Sequence, residues 1–315
     1  MKKLRLGVAG LGTVFLKKHL PAIVDLKDRF TISYIYSSSP QKFGKIKAQV
    51  KEVRYCRSLE MLCQQDVDAI IACVPLPLHA KVAVAVIHSG KHVLLEKPMA
   101  HSRKEAERIV ELARNKNKKI FVAENFRCLS SVRKLKDILG QGSLGKIKFV
   151  QVDGLTKLDE TSLYYQRPWR RNPKGYPGII WEGGIHFVSI IRFLFGSLTV
   201  RFKRIASLNP SLGKDTMVAH LKTGKNVDVL LNVSYSMIKD EGLRIKVYGE
   251  KGVARVEMSK LTVERGRKKN VEMFAFQEYQ MMYKEFYEYI LMNKKPSYSS
   301  FEALGDIRFL NQLTG

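Results

Sequence analysis

The chain has 315 residues, more than one hydrophobic core usually organises, so two domains are expected. With 45% hydrophobic and 27% charged residues, its composition excludes the disordered, collagenous and repeat classes, and no apolar run approaches the roughly 20 residues that span a bilayer. The formal charge is +26, yet 23 basic and 10 acidic residues precede position 123 and 32 and 19 follow, so each part carries +13 and no basic tail or domain marks a nucleic-acid binder.

That spread favours anionic small ligands, a phosphate-bearing cofactor among them. Nucleic acid is not the expected partner, and a salt-titrated binding measurement decides that alternative. The basic start, Met1 to Arg5, resembles a signal peptide, but Arg5 and the glycines break its apolar run and it reads as a first strand. Cys56, Cys63, Cys73 and Cys128 show no CxxC spacing. Reduced, buried thiols of a cytoplasmic protein, with no metal, are expected.

Along the first third, apolar runs alternate with segments of helical period. Leu4 to Ala9 is a strand, Gly10-Leu-Gly12 a turn, and a helix begins near Thr13. Strands follow at 30–36 and 68–74, the latter apolar throughout like one buried on both faces. A helix over 80–88 stops at Gly90, a strand over 92–95 ends in Glu96-Lys97-Pro98, and Ser102-Arg-Lys-Glu105 is a capping box opening another helix. A last strand covers 119–123. The alternation predicts an α/β fold, a Rossmann-type doubly wound parallel sheet over residues 1–122.

From 123 to 315 the pattern changes. A helix is expected over 131–139, then strands over 146–152, 200–205, 216–221, 227–234, 243–247 and 253–257. Consecutive strands without helices between them imply a C-terminal α+β domain on a large, mostly antiparallel sheet. Helices over 279–292 and 301–313 close the chain, and the terminal helix is in a position to return to the first domain.

Gly10-Leu-Gly12-Thr13-Val14-Phe15 follows a strand and opens a helix, where a GxGxxG loop cradles a pyrophosphate; Phe15 stands in place of the third glycine. The second strand ends in Ser37 and Ser38 with Lys42 nearby, where NAD-specific folds place a carboxylate on the ribose. Hydroxyls and a cation accommodate a 2′-phosphate, so NADP is preferred over NAD, with a plain surface turn as the alternative. Pro75, His79, Glu96 and Lys97 lie at the carboxyl ends of parallel strands, where doubly wound folds bind ligands. A lysine there is suited to stabilising a developing alkoxide.

Together these segments resemble the family of glucose–fructose oxidoreductase, inositol dehydrogenase and rhizopine catabolism protein. The resemblance is carried by GVAGLGTVFLKKHLPAI (7–23), DAIIACVPLPLHAKVAVAVIHSGKHVLLEKPMA (68–100), GSLGKIKFV (142–150), WRRNPKGYPGIIWEGGIHFVSIIRFLFG (169–196) and VYGEKGVARVE (247–257). It implies an NAD(P)-dependent dehydrogenase or reductase acting on a secondary alcohol of a sugar, cyclitol or polyol. Lys97, from the EKP motif, is implied to hold the reacting oxygen. His186 is implied as acid/base, and Glu182, where the family has Asp, as the residue that orients substrate or the imidazole. Substrate contacts are implied at Asn125, Arg127, Arg167, Trp169 and Arg170. Ser189 stands where many members carry a second Asp. A homodimer or homotetramer is implied too. A non-catalytic NAD(P)-binding sensor of the same fold remains the alternative, and a linear tetrapyrrole reductase is disfavoured by the EKP lysine.

Overall fold

A computed structural model of the chain describes residues 2–162, 164–167, 170 and 178–315. They form two compact units, one comprising Met1–Asn125 and Tyr279–Ile307, the other Phe126–Glu278 and Arg308–Gly315.

The first unit is built on a parallel sheet of β1 (Leu4–Ala9), β2 (Phe30–Tyr36), β3 (Arg54–Cys56), β4 (Ala69–Ala72), β5 (His92–Glu96) and β6 (Ile120–Ala123). Their order is β3-β2-β1-β4-β5-β6, so the direction of winding reverses between β1 and β4. That crevice, beyond the strands' carboxyl ends, is where such sheets bind ligands. β4 is buried along its whole length and β5 from Val93 onward, as their apolar runs require. The short elements α1 (Leu20–Asp25), α2 (Phe43–Lys47) and α3 (Leu59–Gln64) precede α4 (His79–His88) and α5 (Arg103–Asn115). Ser102 Oγ accepts the Glu105 amide at 3.3 Å, so the capping box starts α5.

The helix after β1 departs from regular geometry. Phe15–His19 forms a π-helical turn ahead of α1. A buried benzyl group now fills the place of a third glycine, and the widened turn carries both Phe15 and His19 inward, their rings stacked at 6.3 Å. Helix α8 (Glu278–Met292, Tyr279 onward in this unit) lays Tyr283, Phe286 and Tyr287 against Phe30, while Tyr287 Oη donates to the Lys2 carbonyl at 2.7 Å.

The second unit carries an eight-stranded sheet: β7 (Ile147–Leu155), β8 (Leu198–Ala206), β9 (Thr216–Thr223), β10 (Asp228–Ser234), β11 (Gly242–Gly249), β12 (Gly252–Glu257), β13 (Lys260–Arg265) and β14 (Lys268–Met273). The order is β14-β13-β12-β11-β7-β10-β9-β8, antiparallel except where β7 lies parallel to β10. Alternate residues of β9 and β11 are buried, as a sheet with one covered face demands. The helices against it are α6 (Ser130–Gly140), touching β12 and β13, and an apolar helix, here α7 (Ile179–Phe195), touching β7, β9 and β10. The final helix, α9, spans Ser300–Thr314.

Candidate active site

In the first unit the candidate residues collect at the ends of four neighbouring strands, β2, β1, β4 and β5. Gly10 follows β1, and its amide donates to the Tyr36 carbonyl at 2.8 Å, tying the loop to the end of β2. Its φ is +99°, and a Cβ there would lie 2.4 Å from the Cys73 carbonyl oxygen, so the close approach of β1 to β4 demands glycine. Gly12 is different: a Cβ would meet only that same oxygen, at an ordinary 3.7 Å. The protein's own packing leaves space over Gly12, at the start of the helix formed by Thr13 and Val14, and space of that kind at a helix N-terminus fits a phosphate. The loop therefore fits a dinucleotide.

Ser37 is buried at the end of β2, its Oγ accepting the Ser39 amide at 3.1 Å and its carbonyl accepting from Tyr55 Oη at 2.7 Å. Ser38 is exposed and Lys42 half-buried. Beyond β4, Pro75 is exposed. His79 is buried, its Nδ1 2.8 Å from the Pro98 carbonyl and its Nε2 3.0 Å from the Val74 carbonyl. Its ring thus fastens the turn after β4 to the turn after β5.

At the end of β5, Glu96 is buried and Lys97 half-buried. Glu96 Oε1 lies 2.7 Å from His19 Nε2, and Oε2 accepts the Lys97 amide at 3.2 Å. Burial alone pushes the Glu96 carboxyl up. The hydrogen bond from His19 Nε2, with the charge of Lys97, outweighs it and holds the group below the ordinary carboxylate value. Glu96 is accordingly an anion at neutral pH. His19 escaped the sequence reading, its signal there being a polar residue in the apolar stripe of the first helix.

The second unit holds its candidates on α7. Glu182, His186 and Ser189, at spacings of four and three, form a polar stripe on a buried, otherwise apolar helix. Each is met by a residue from outside the helix. Arg170 grips Glu182 with both arms, Nε to Oε2 at 2.6 Å and Nη2 to Oε1, and donates through Nη1 to the Tyr164 carbonyl at 2.7 Å. Phe126 stacks on the His186 imidazole, centroids 4.2 Å apart and planes 18° from parallel, which fixes the ring's plane. Arg127 Nε donates to Ser189 Oγ at 2.6 Å, and its guanidinium lies over Phe193.

Arg127, expected at the substrate, is buried in the second unit, where it meets Ser189. The Glu182 carboxylate is engaged on both oxygens by Arg170, and Phe126, absent from the sequence reading, is the aromatic partner of His186. Arg167 and Asn125 are half-buried, and Trp169 lies outside the described residues. Close packing also shapes α7: a Cβ on Gly183 would sit 1.9 Å from Tyr235 Oη.

Comparison with known proteins identifies the family and the fold. The NAD-binding Rossmann domain of the GFO/IDH/MocA oxidoreductase family matches residues 4–124, and the family's C-terminal domain matches 132–255. An oxidoreductase from Thermotoga maritima superposes with a TM-score of 0.92 at 25% identity, covering 99% of this chain and 96% of that one. The WlbA dehydrogenase of Bordetella pertussis, solved with NADH and UDP-GlcNAcA, gives a TM-score of 0.85 at 24% identity over 99% and 95% of the two chains. A dTDP-3,4-didehydro-2,6-dideoxy-alpha-D-glucose 3-reductase from Saccharopolyspora spinosa is 29% identical over 203 residues, 63% of this chain and 58% of that relative. Among the described residues, no helix is long and apolar enough to cross a membrane.

Proposed function

The chain belongs to the GFO/IDH/MocA family of NAD-binding oxidoreductases, and from that premise we propose that it interconverts a secondary alcohol and a ketone on a sugar, most simply a nucleotide-linked one. Two proteins that resemble it, by their names, handle such compounds: one is complexed with UDP-GlcNAcA and the other reduces a dTDP-linked ketosugar. The net charge of +26 suits a substrate bearing a diphosphate.

When bound, the nicotinamide accepts or supplies the hydride. The chain's own residues do the rest. Gly12 and the helix beginning at Thr13 hold the cofactor's phosphates. Ser37, Ser38 and Lys42 face its ribose, and with no carboxylate between 37 and 42 they favour NADP over NAD. Lys97 donates a hydrogen bond to the reacting oxygen, stabilising negative charge as it develops there. His186, held flat by Phe126, takes the hydroxyl proton in oxidation and returns it in reduction. Glu182 acts through Arg170, whose guanidinium it holds, and Arg167, Trp169 and Asn125 complete the substrate contacts.

The observation that carries this reading is the pairing of an inessential glycine at position 12 with a lysine at the end of the neighbouring β5. Thermal shifts with NAD, NADH, NADP and NADPH, followed by turnover on a panel of sugar nucleotides and polyols, test it. A larger shift with NADP(H) and turnover of a panel member are expected. A larger shift with NAD(H) overturns the cofactor preference, and cofactor binding without turnover on any member supports a sensor instead.

A further inference from the structure

Beneath the end of β5 lies a buried polar cluster that the reaction as written does not use. His19 comes from the π-helical turn, Cys73 follows β4, Glu96 ends β5, and Tyr283 comes from α8, 264 residues along the chain from His19. The ring of His19 is buried, edge-on to Tyr279 and Tyr283 at centroid distances of 5.0 and 5.7 Å and stacked on Phe15. Its Nδ1 lies 2.7 Å from Tyr283 Oη and its Nε2 2.7 Å from Glu96 Oε1, while Glu96 Oε2 accepts the Lys97 amide.

One arrangement of protons satisfies every member. Burial, then the nearby Cys73 and Glu96, push the Tyr283 phenol well above its ordinary value, so it keeps its proton and donates to Nδ1. Nε2 then carries the ring's proton and donates it to Glu96, whose second oxygen takes the Lys97 amide. The contacts run without a gap from α8 to the backbone of Lys97.

The ligand atoms of His19, Cys73 and Glu96 also lie within 4.8 Å of one another, a spacing that invites a metal ion. Two ligands of one tetrahedral ion, each about 2.0 Å from it, stand about 3.3 Å apart. The 2.7 Å between Nε2 and Oε1 is shorter and is the length of a hydrogen bond.

We propose that Tyr283, His19 and Glu96 are positioning residues for Lys97, a relay that sets the lysine's backbone. The proposal rests on the reading of Lys97 as the group that holds the reacting oxygen. A lysine on a turn beyond a strand is a long lever, and a displacement of about 1 Å at a reacting group costs on the order of a hundredfold in rate. Partners behind a functional side chain typically cost about 10- to 100-fold when removed.

The test measures single-turnover rate, substrate KM, cofactor Kd and melting temperature, with the reduced cofactor and whichever ketosugar of the panel wild-type protein turns over fastest. Tyr283→Phe is expected to slow turnover about tenfold with cofactor Kd unchanged, and His19→Phe to slow it by up to about a hundredfold. His19→Gln, which keeps a donor and an acceptor, is expected to recover most of that loss. In the Lys97→Ala background, Tyr283→Phe is expected to cost nothing further, because its effect passes through the lysine. Wild-type turnover in Lys97→Ala would remove the reading of the lysine and the relay with it, as would a wild-type protein inactive on the whole panel. An inactive Lys97→Ala beside a fully active Tyr283→Phe overturns the relay alone. So does a Tyr283→Phe effect that is additive in the double variant or appears as weakened cofactor binding. Stoichiometric zinc in the purified protein, lost in His19→Phe, would replace the relay with a metal site.

Discussion

Gly10 and Gly12 stand two residues apart in one loop, and the structure assigns them opposite reasons for being glycine. At Gly10 an alanine meets two penalties. A side chain at φ +99° costs roughly 1–3 kcal/mol. Its Cβ, 2.4 Å from the Cys73 carbonyl oxygen and 2.9 Å from the carbonyl carbon, forces the end of β4 to move, at about 1–3 kcal/mol more. Gly10→Ala is therefore expected to lose about 2–6 kcal/mol, a fall in melting temperature on the order of 10 °C. At Gly12 the added methyl meets only an oxygen at 3.7 Å, so Gly12→Ala is expected to stay within about 1 kcal/mol of wild type without cofactor. The same methyl occupies the space assigned to the pyrophosphate, so cofactor affinity is expected to fall at least about tenfold, or about 1.4 kcal/mol. Melting curves with and without NADP(H), together with a cofactor titration, separate the two effects. A Gly12→Ala protein that binds cofactor as wild type does, or a Gly10→Ala protein as stable as wild type, would refute the assignment.

Three further outcomes follow from the packing. Alanine for glycine inside a helix ordinarily stabilises, but Gly183→Ala is expected to lose about 1–3 kcal/mol in denaturant unfolding, because its Cβ would collide with Tyr235 Oη; a gain would contradict that contact. Arg170→Ala leaves the Glu182 charge buried without its partner and is expected to cost about 3–5 kcal/mol. An Arg170→Met, Glu182→Leu double variant should cost far less, and equal losses would show that the pair is not the source. Burial and then the charges of Lys118 and Lys119 hold His92 at about 4, below its ordinary 6.5, while its Nδ1 accepts the Lys119 amide at 3.0 Å. The folded ring therefore stays neutral while the unfolded one takes up a proton. The stabilisation is present in full above pH 6.5 and is lost as the pH falls toward 4. Discounted for the ring's partial exposure, this amounts to about 1–2 kcal/mol across that window, and His92→Asn should flatten the pH dependence of stability there.

What could be read from the chain alone follows the range over which each signal acts. Strands buried on both faces, such as β4, and a capped helix such as α5 declare themselves locally, through an unbroken apolar run or a serine three residues before a glutamate. Between Phe43 and Gln64, α2, β3 and α3 are only five, three and six residues long and carry too short a pattern to be noticed. Strand β14, exposed along its whole length, has no buried face to impose alternation. Lys97, His186 and Glu182 were legible through motifs that sit in continuous segments. Their partners were not. Arg127 is singled out by the family resemblance, and only folding shows Ser189 and Phe193 against it. The contact between His19 and Tyr283 joins residues 264 apart, and the polar His19 in an apolar stripe does not name its distant partner.

Hydride exchange between a bound nicotinamide and a carbon whose oxygen Lys97 holds is the claim on which the account turns. It is tested most directly by running the reduction with cofactor carrying deuterium on the transferring face of C4 and analysing the alcohol by mass spectrometry. The account predicts one deuterium on the new carbinol carbon with wild-type protein and, over the same time, only a small fraction of that with Lys97→Ala still loaded with cofactor. Product whose carbinol hydrogen comes from solvent, or a Lys97→Ala protein that transfers deuterium at the wild-type rate, would contradict it.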